Sequence, residues 1–217
     1  MTVVVWKRLP TVLTSDELLD KAFSRATKAK DQVEDPNRMY RTRKQMIRMI
    51  QSASDVLDAT LKGWVMKWPS LDKQSEFDRA LIDAAVGCDD YLHHLSTIQW
   101  AADQSMNVAR QNVRKLQRMV SIEMMHATRR EAYGRISSIV DQVGRSLNWL
   151  NNARDTLREL PSIDTSGPCS GVAGTPNVGK LALIAALTPR DPEIASYPFT
   201  AKQLDVGHYT PRRRRYQ

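Results

Sequence analysis

Leu95-Ser-Thr-Ile-Gln-Trp-Ala-Ala-Asp-Gln-Ser-Met-Asn-Val-Ala-Arg-Gln-Asn-Val-Arg-Lys-Leu-Gln-Arg-Met-Val120 is the stretch that decides the fold. Leu95, Ile98, Ala102, Met106, Ala109, Val113, Leu116 and Val120 recur at steps of 3 or 4, which places them on one face of a long helix. Other segments repeat the pattern. Met46, Ile50, Ala53, Leu57 and Leu61 form one stripe, and Ile136, Ile139, Val140, Val143, Leu147 and Leu150 form another, on a last helix. Thr14 with Glu17 makes a capping box that starts a helix of about 16 residues. Asp35-Pro36 supplies an N-cap and a first-turn proline for the next, which Trp68-Pro69 ends. A further segment starts near Ser75, and Gly87 predicts a kink or break in it. Each apolar stripe must be buried against another, so the expected fold is mainly α, an antiparallel helical bundle over residues 1–162.

Outward from the bundle, the composition changes. Residues 167–217 hold five of the nine glycines and six of the ten prolines, so a second, turn-rich unit is expected over 168–217. Hydrophobic residues at 41% exclude a largely disordered chain, and no apolar run is long enough to span a membrane. Charge arrives within the first ten residues, so no signal peptide is read there. Two cysteines, Cys88 and Cys169, cannot form a disulfide framework or a four-ligand zinc site, and a reducing compartment is expected. His93 and His94 diverge by about 100° on a helix, so no metal site is assigned. No Ser-His-Asp or Cys-His set can be assembled, and no catalytic residue is assigned.

A net charge of +8 and a pI near 9.7 favour a polyanionic partner. Two stripes carry that charge. Arg41, Lys44 and Arg48 lie at i, i+3 and i+7, and Arg110, Arg114 and Arg118 at i, i+4 and i+8 with Lys115 beside them. Each set faces one way and can follow a phosphate backbone. The same pattern is also the ordinary solvated face of a basic helix.

Gly174-Thr-Pro-Asn-Val-Gly-Lys180 has the Gly-x-x-x-x-Gly-Lys form of a phosphate-binding loop. Glycines let backbone N–H groups turn inward on a phosphate, and the lysine adds its charge. Ser170–Ala173 reads as a short strand before the loop and Leu181–Leu187 as a helix after it. The motif calls for a serine or threonine after the lysine to hold Mg²⁺, and Leu181 stands there.

Pro176-Asn-Val-Gly-Lys180, Tyr197-Pro-Phe-Thr-Ala-Lys202 and Val206-Gly-His208 resemble the start of an Obg-related GTPase. Leu9-Pro-Thr-Val-Leu-Thr-Ser-Asp-Glu-Leu-Leu-Asp-Lys-Ala-Phe23 and Ile82-Asp-Ala-Ala-Val-Gly-Cys-Asp-Asp-Tyr91 resemble, more narrowly, the archaeal and nucleolar GTP-binding protein family of large-subunit ribosome assembly. The resemblance covers essentially the whole chain. It implies a bundle that docks on large-subunit ribosomal RNA and the pre-ribosome, followed by an α/β P-loop GTPase unit. It also implies that Gly174, Thr175, Pro176, Asn177, Val178, Gly179 and Lys180 hold GTP phosphates and that Tyr197, Pro198, Phe199 and Thr200 form a switch segment. The RNA-binding residues expected are Arg41, Lys44, Arg48, Arg110, Arg114, Lys115 and Arg118.

The chain departs from the family at two metal positions, with Leu181 for serine and Ala201 for the second switch threonine. Asp-x-x-Gly and Asn-Lys-x-Asp motifs do not follow the loop within this sequence, so 168–217 is read as an incomplete, truncated P-loop segment. Weak or absent GTP binding and no magnesium are therefore expected. Two functional readings follow: a GTP-binding protein of large-subunit assembly, or a non-enzymatic ribosomal-RNA-binding module with an inert GTPase remnant. A helical adaptor for proteins is a third, distinguished by weak salt dependence. A cytoplasmic monomer is expected, with Arg212–Arg215 read as a loop of the GTPase unit rather than a nuclear signal.

Overall fold

The computed structural model describes residues 5–160, 171–172, 174–175, 178–187, 193–196 and 203–206. A 3-10 turn, Val5–Arg8, leads into α1 (Ser15–Asp31), α2 (Arg38–Lys67), α3 (Glu76–Val86), α4 (Cys88–Arg118), α5 (Ile122–Gln142) and α6 (Gly144–Arg158). A second 3-10 turn, Leu71–Lys73, joins α2 to α3. Then come α7 (Lys180–Leu187) and strands β1 (Glu193–Ser196) and β2 (Gln203–Val206), paired antiparallel with Glu193 opposite Val206. The molecule is mainly α, a helical bundle with a short α/β segment after it.

Local chemistry explains most boundaries. The Thr14 hydroxyl accepts from the Glu17 N–H, and the Glu17 carboxylate accepts from the Thr14 N–H, closing the expected capping box. Gly87 separates α3 from α4 at φ +77°, a conformation that L side chains rarely adopt. Trp68 ends α2 ahead of Pro69.

Three helix boundaries differ from the sequence reading. α2 is capped by Asn37, not Asp35: the Asn37 side-chain oxygen accepts from the N–H groups of Met39 and Tyr40. Asp35 is engaged elsewhere, by the Asn37 N–H and the Lys44 ammonium. The long periodic run ends early. α4 stops at Arg118, Ser121 caps α5, and Val120 is exposed in the turn between them. The last stripe is carried by two helices. Val143, φ −94° and ψ 5°, breaks the chain between α5 and α6 while its side chain stays buried. Periodicity survives this break because the side chains on both sides still point inward.

α1, α2, α4 and α5 form the bundle, with α2 between α1 and α4. The α2–α4 pair is antiparallel: Arg43 reaches Met119 at one end, and Lys62 reaches Asp103 further along. One core joins α6 and the N-terminal arm to Leu57, Leu61, Ile98, Ile136, Leu147 and Leu150. A second lies toward the α4–α5 turn, around Met46, Ile50, Ala109, Leu116 and Met125. The arm is held by Asn151, whose side-chain amide donates to the Val12 carbonyl at 2.8 Å and accepts from its N–H at 3.1 Å.

The expected strand at 170–173 is not formed at Gly171 and Val172, which have no regular structure and are exposed. A strand needs a neighbour for its backbone groups, and β1 and β2 pair with each other. Ser170, Ala173, Pro176, Asn177, the switch segment Tyr197–Thr200 and Ala201 lie outside the described residues.

Candidate nucleic-acid face and phosphate loop

All seven cations expected to hold RNA, on α2 and α4, are solvent-exposed. The structure brings the two stripes onto one face. Lys62 on α2 bonds Asp103 on α4 at 3.0 Å, across the helix pair. Lys62 lies eighteen residues, five full turns, beyond Lys44, and Asp103 lies two and three turns before Arg110 and Arg114. The Lys62–Asp103 bond therefore marks the side of the bundle on which both stripes sit. Helix axes that pack directly are about 8–10 Å apart, so the two rows run side by side.

The cations are not electrostatically equal. Lys44 donates to Asp35 at 2.7 Å, and Arg41 donates to the Asp35 carbonyl at 3.4 Å. The hydrogen bond from Lys44, with that from the Asn37 N–H, holds the Asp35 carboxyl below its usual range. Lys115 lies 3.7 Å from Glu131, turned toward α5. Arg48, Arg114 and Arg118 make no hydrogen bond or ion pair with another described residue, so their charge is fully available. The sequence reading missed the carboxylates that occupy Lys44 and Lys115. It also passed over a third row, Lys21, Arg25 and Lys28 on α1, whose steps of 4 and 3 were the available signal.

In the phosphate loop, Gly174, Thr175, Val178, Gly179 and Lys180 are described. Lys180 opens α7, and its ammonium donates back to the carbonyls of Gly174 at 2.9 Å and Thr175 at 2.7 Å. This ties the two ends of the loop together and leaves one of the ammonium's three donors for an anion. Gly179 turns at φ +84°, and a Cβ at Gly174 would meet the Val178 side chain at 3.4 Å. The first α7 backbone bond runs from Leu183 to the Gly179 carbonyl, so the preceding N–H groups have no partner within the helix. These residues fit a phosphate. They do not fit a magnesium ion held beside it, because Leu181 has no donor atom in its side chain.

Residues 6–164 match the model of the NOG1 N-terminal helical domain, and residues 170–217 match that of the 50S ribosome-binding GTPase. The chain is 29% identical over 205 residues to an uncharacterized protein of Methanocaldococcus jannaschii, covering 94% of this chain and 58% of the relative. It is 29% identical over 213 residues to nucleolar GTP-binding protein 1 of Saccharomyces cerevisiae, covering 98% of this chain and 33% of that protein. Nucleolar GTP-binding protein 1 of Drosophila melanogaster is 27% identical over 209 residues, 96% of this chain and 32% of that protein. The chain thus spans between about a third and three-fifths of the length of these relatives. Since the helical-domain model covers all of α1–α6 and most of the chain, this protein belongs to the NOG1 N-terminal helical domain family.

Proposed function

We propose that this chain is the RNA-docking part of a GTP-binding protein of the Obg-related class that acts in large ribosomal subunit assembly. The observation that supports this best is the alignment of the α2 and α4 stripes on one face, marked by the Lys62–Asp103 bond. Arg41, Lys44, Arg48, Arg110, Arg114, Lys115 and Arg118 contact phosphates of large-subunit ribosomal RNA, with Arg48, Arg114 and Arg118 contributing most because no carboxylate among the described residues pairs with them. The loop Gly174–Lys180 receives the phosphates of GTP through backbone N–H groups and the remaining Lys180 donor. The protein works as a cytoplasmic monomer in this reading.

The test is a salt titration of binding to a large-subunit ribosomal RNA fragment. Arg110→Glu, Arg114→Glu and Arg118→Glu together should lower affinity at least tenfold and flatten the dependence of log affinity on log salt. If parent and variant bind equally at every salt concentration, the stripes are solvated charge and the proposal fails. Leu181 favours a second reading of the α/β segment, an anion-binding remnant without metal chemistry.

A further inference from the structure

We propose that the groove between α1 and α2 seats the backbone of a single RNA strand, as a second contact beside the α2–α4 face. The inference rests on the RNA-docking function proposed above. Lys21, Ser24, Arg25 and Lys28 of α1 and Arg48 and Ser52 of α2 line one open groove, whose floor includes Val56. Asp55 is the one acidic residue among its lining.

Four cations share this lining: Lys21, Arg25, Lys28 and Arg48. Some basic residues elsewhere on the bundle carry a carboxylate partner: Lys44 has Asp35, Lys62 has Asp58 and Asp103, Lys115 has Glu131, and Arg154 has Asp155. Lys21, Arg25, Lys28 and Arg48 make no hydrogen bond or ion pair with another described residue. They converge on a concavity, where a shared polyanion is favoured over separate solvation because low-dielectric walls focus the field. From Lys21 to Lys28 the row rises about 10 Å along α1, which suits a chain of phosphates better than a single anion. Ser24 and Ser52 add hydroxyl donors.

The groove's shape and chemistry define the ligand. It lies between two directly packed helices, so it admits one strand and not the body of a duplex. No aromatic side chain lines it, so bases have nothing to stack on and recognition stops at the backbone. Arg48 belongs both to this groove and to the α2 stripe, so one RNA can run from the face into the groove.

The experiment uses the full chain and twelve-nucleotide oligo(U) and oligo(C) over a range of salt. The parent should bind both equally. Lys21→Gln, Arg25→Gln and Lys28→Gln together should weaken binding at least tenfold and reduce the salt slope by about 2. A charge-matched control, Lys67→Gln, Arg79→Gln and Arg145→Gln, should bind within about twofold of the parent, and all variants should melt as the parent does. Full affinity in the groove variant, with α4-stripe variants still impaired on ribosomal RNA, overturns the groove and leaves the proposed function standing. So does an equal loss in the control, which would make net charge the cause. A parent that binds neither the oligonucleotides nor ribosomal RNA overturns both.

Discussion

Gly87 shows what one residue decides. At φ +77° and ψ 123° it turns α3 into α4, and its N–H caps Asp83. A Cβ there would have room, with the Asp90 side chain 3.6 Å away, so the penalty for a side chain is backbone strain, not collision. Gly87→Ala should cost about 1–3 kcal/mol, seen as a lower urea midpoint at unchanged slope. A variant as stable as the parent would mean that the α3–α4 corner relaxes freely. His94 carries a different expectation. It stacks on Trp149 and bonds the Ser146 hydroxyl at 2.9 Å, and burial first, then neighbouring His93, lowers its pKa. The folded state therefore binds this proton less well than the unfolded chain. The stability His94 contributes is complete above about pH 6.5 and falls as pH drops through the folded value. The melting temperature should decline between pH 7 and 5, less so in His94→Gln. Parallel curves for the two proteins would assign the decline to other groups.

At the scale of the element, legibility followed the physics of each signal. Helix periodicity and caps are local, so Thr14, Trp68 and Gly87 were readable, and Met46, Ile50, Ala53, Leu57 and Leu61 are all buried as expected. Val143 was not readable as a break, because a buried break keeps the apolar spacing intact. Asn151 and its grip on Val12 lie 139 residues apart, beyond any local pattern. The basic stripes were visible, whereas their partners Asp35 and Glu131 were visible only in three dimensions. The phosphate loop was readable as a motif, but the fold-back of Lys180 onto Gly174 and Thr175 was not. That fold-back makes Lys180 a brace of the loop, beside its proposed contact with phosphate. Lys180→Ala should weaken GTP binding about ten- to a hundred-fold, the range for a charged hydrogen bond of about 1.5–3 kcal/mol. Magnesium should change the parent's GTP affinity by less than about threefold, since Leu181 offers it no oxygen. Leu181→Ser alone should not produce turnover, because Ala201 still lacks the second switch oxygen. Magnesium-dependent hydrolysis abolished by Lys180→Ala would show that metal reaches the site by another route.

For the whole molecule, the buried core is what holds the proposed RNA-docking face rigid. Among the described residues, every buried hydrophobic residue of the two cores falls between Leu9 and Leu160, and each helix of the bundle contributes to one or both. The face uses the backs of α1, α2 and α4, whose inner sides are fixed by Ala26, Ile50, Ala53, Ala109 and Leu116. Close packing of this kind resists displacement, so the spacing of the cations is set by the core and not by their own contacts. It follows that residues 1–165 should fold without the phosphate-loop segment and without nucleotide. The fragment should be strongly helical by circular dichroism and unfold in one cooperative transition, within a few degrees of the full chain. Its RNA affinity should equal the full chain's within about threefold, because the α1, α2 and α4 cations are all retained. A fragment with native helicity but no cooperative melt, binding a hydrophobic dye, would be a molten globule. That outcome would show that residues after 165 complete the core, and that the proposed docking face depends on them for its geometry.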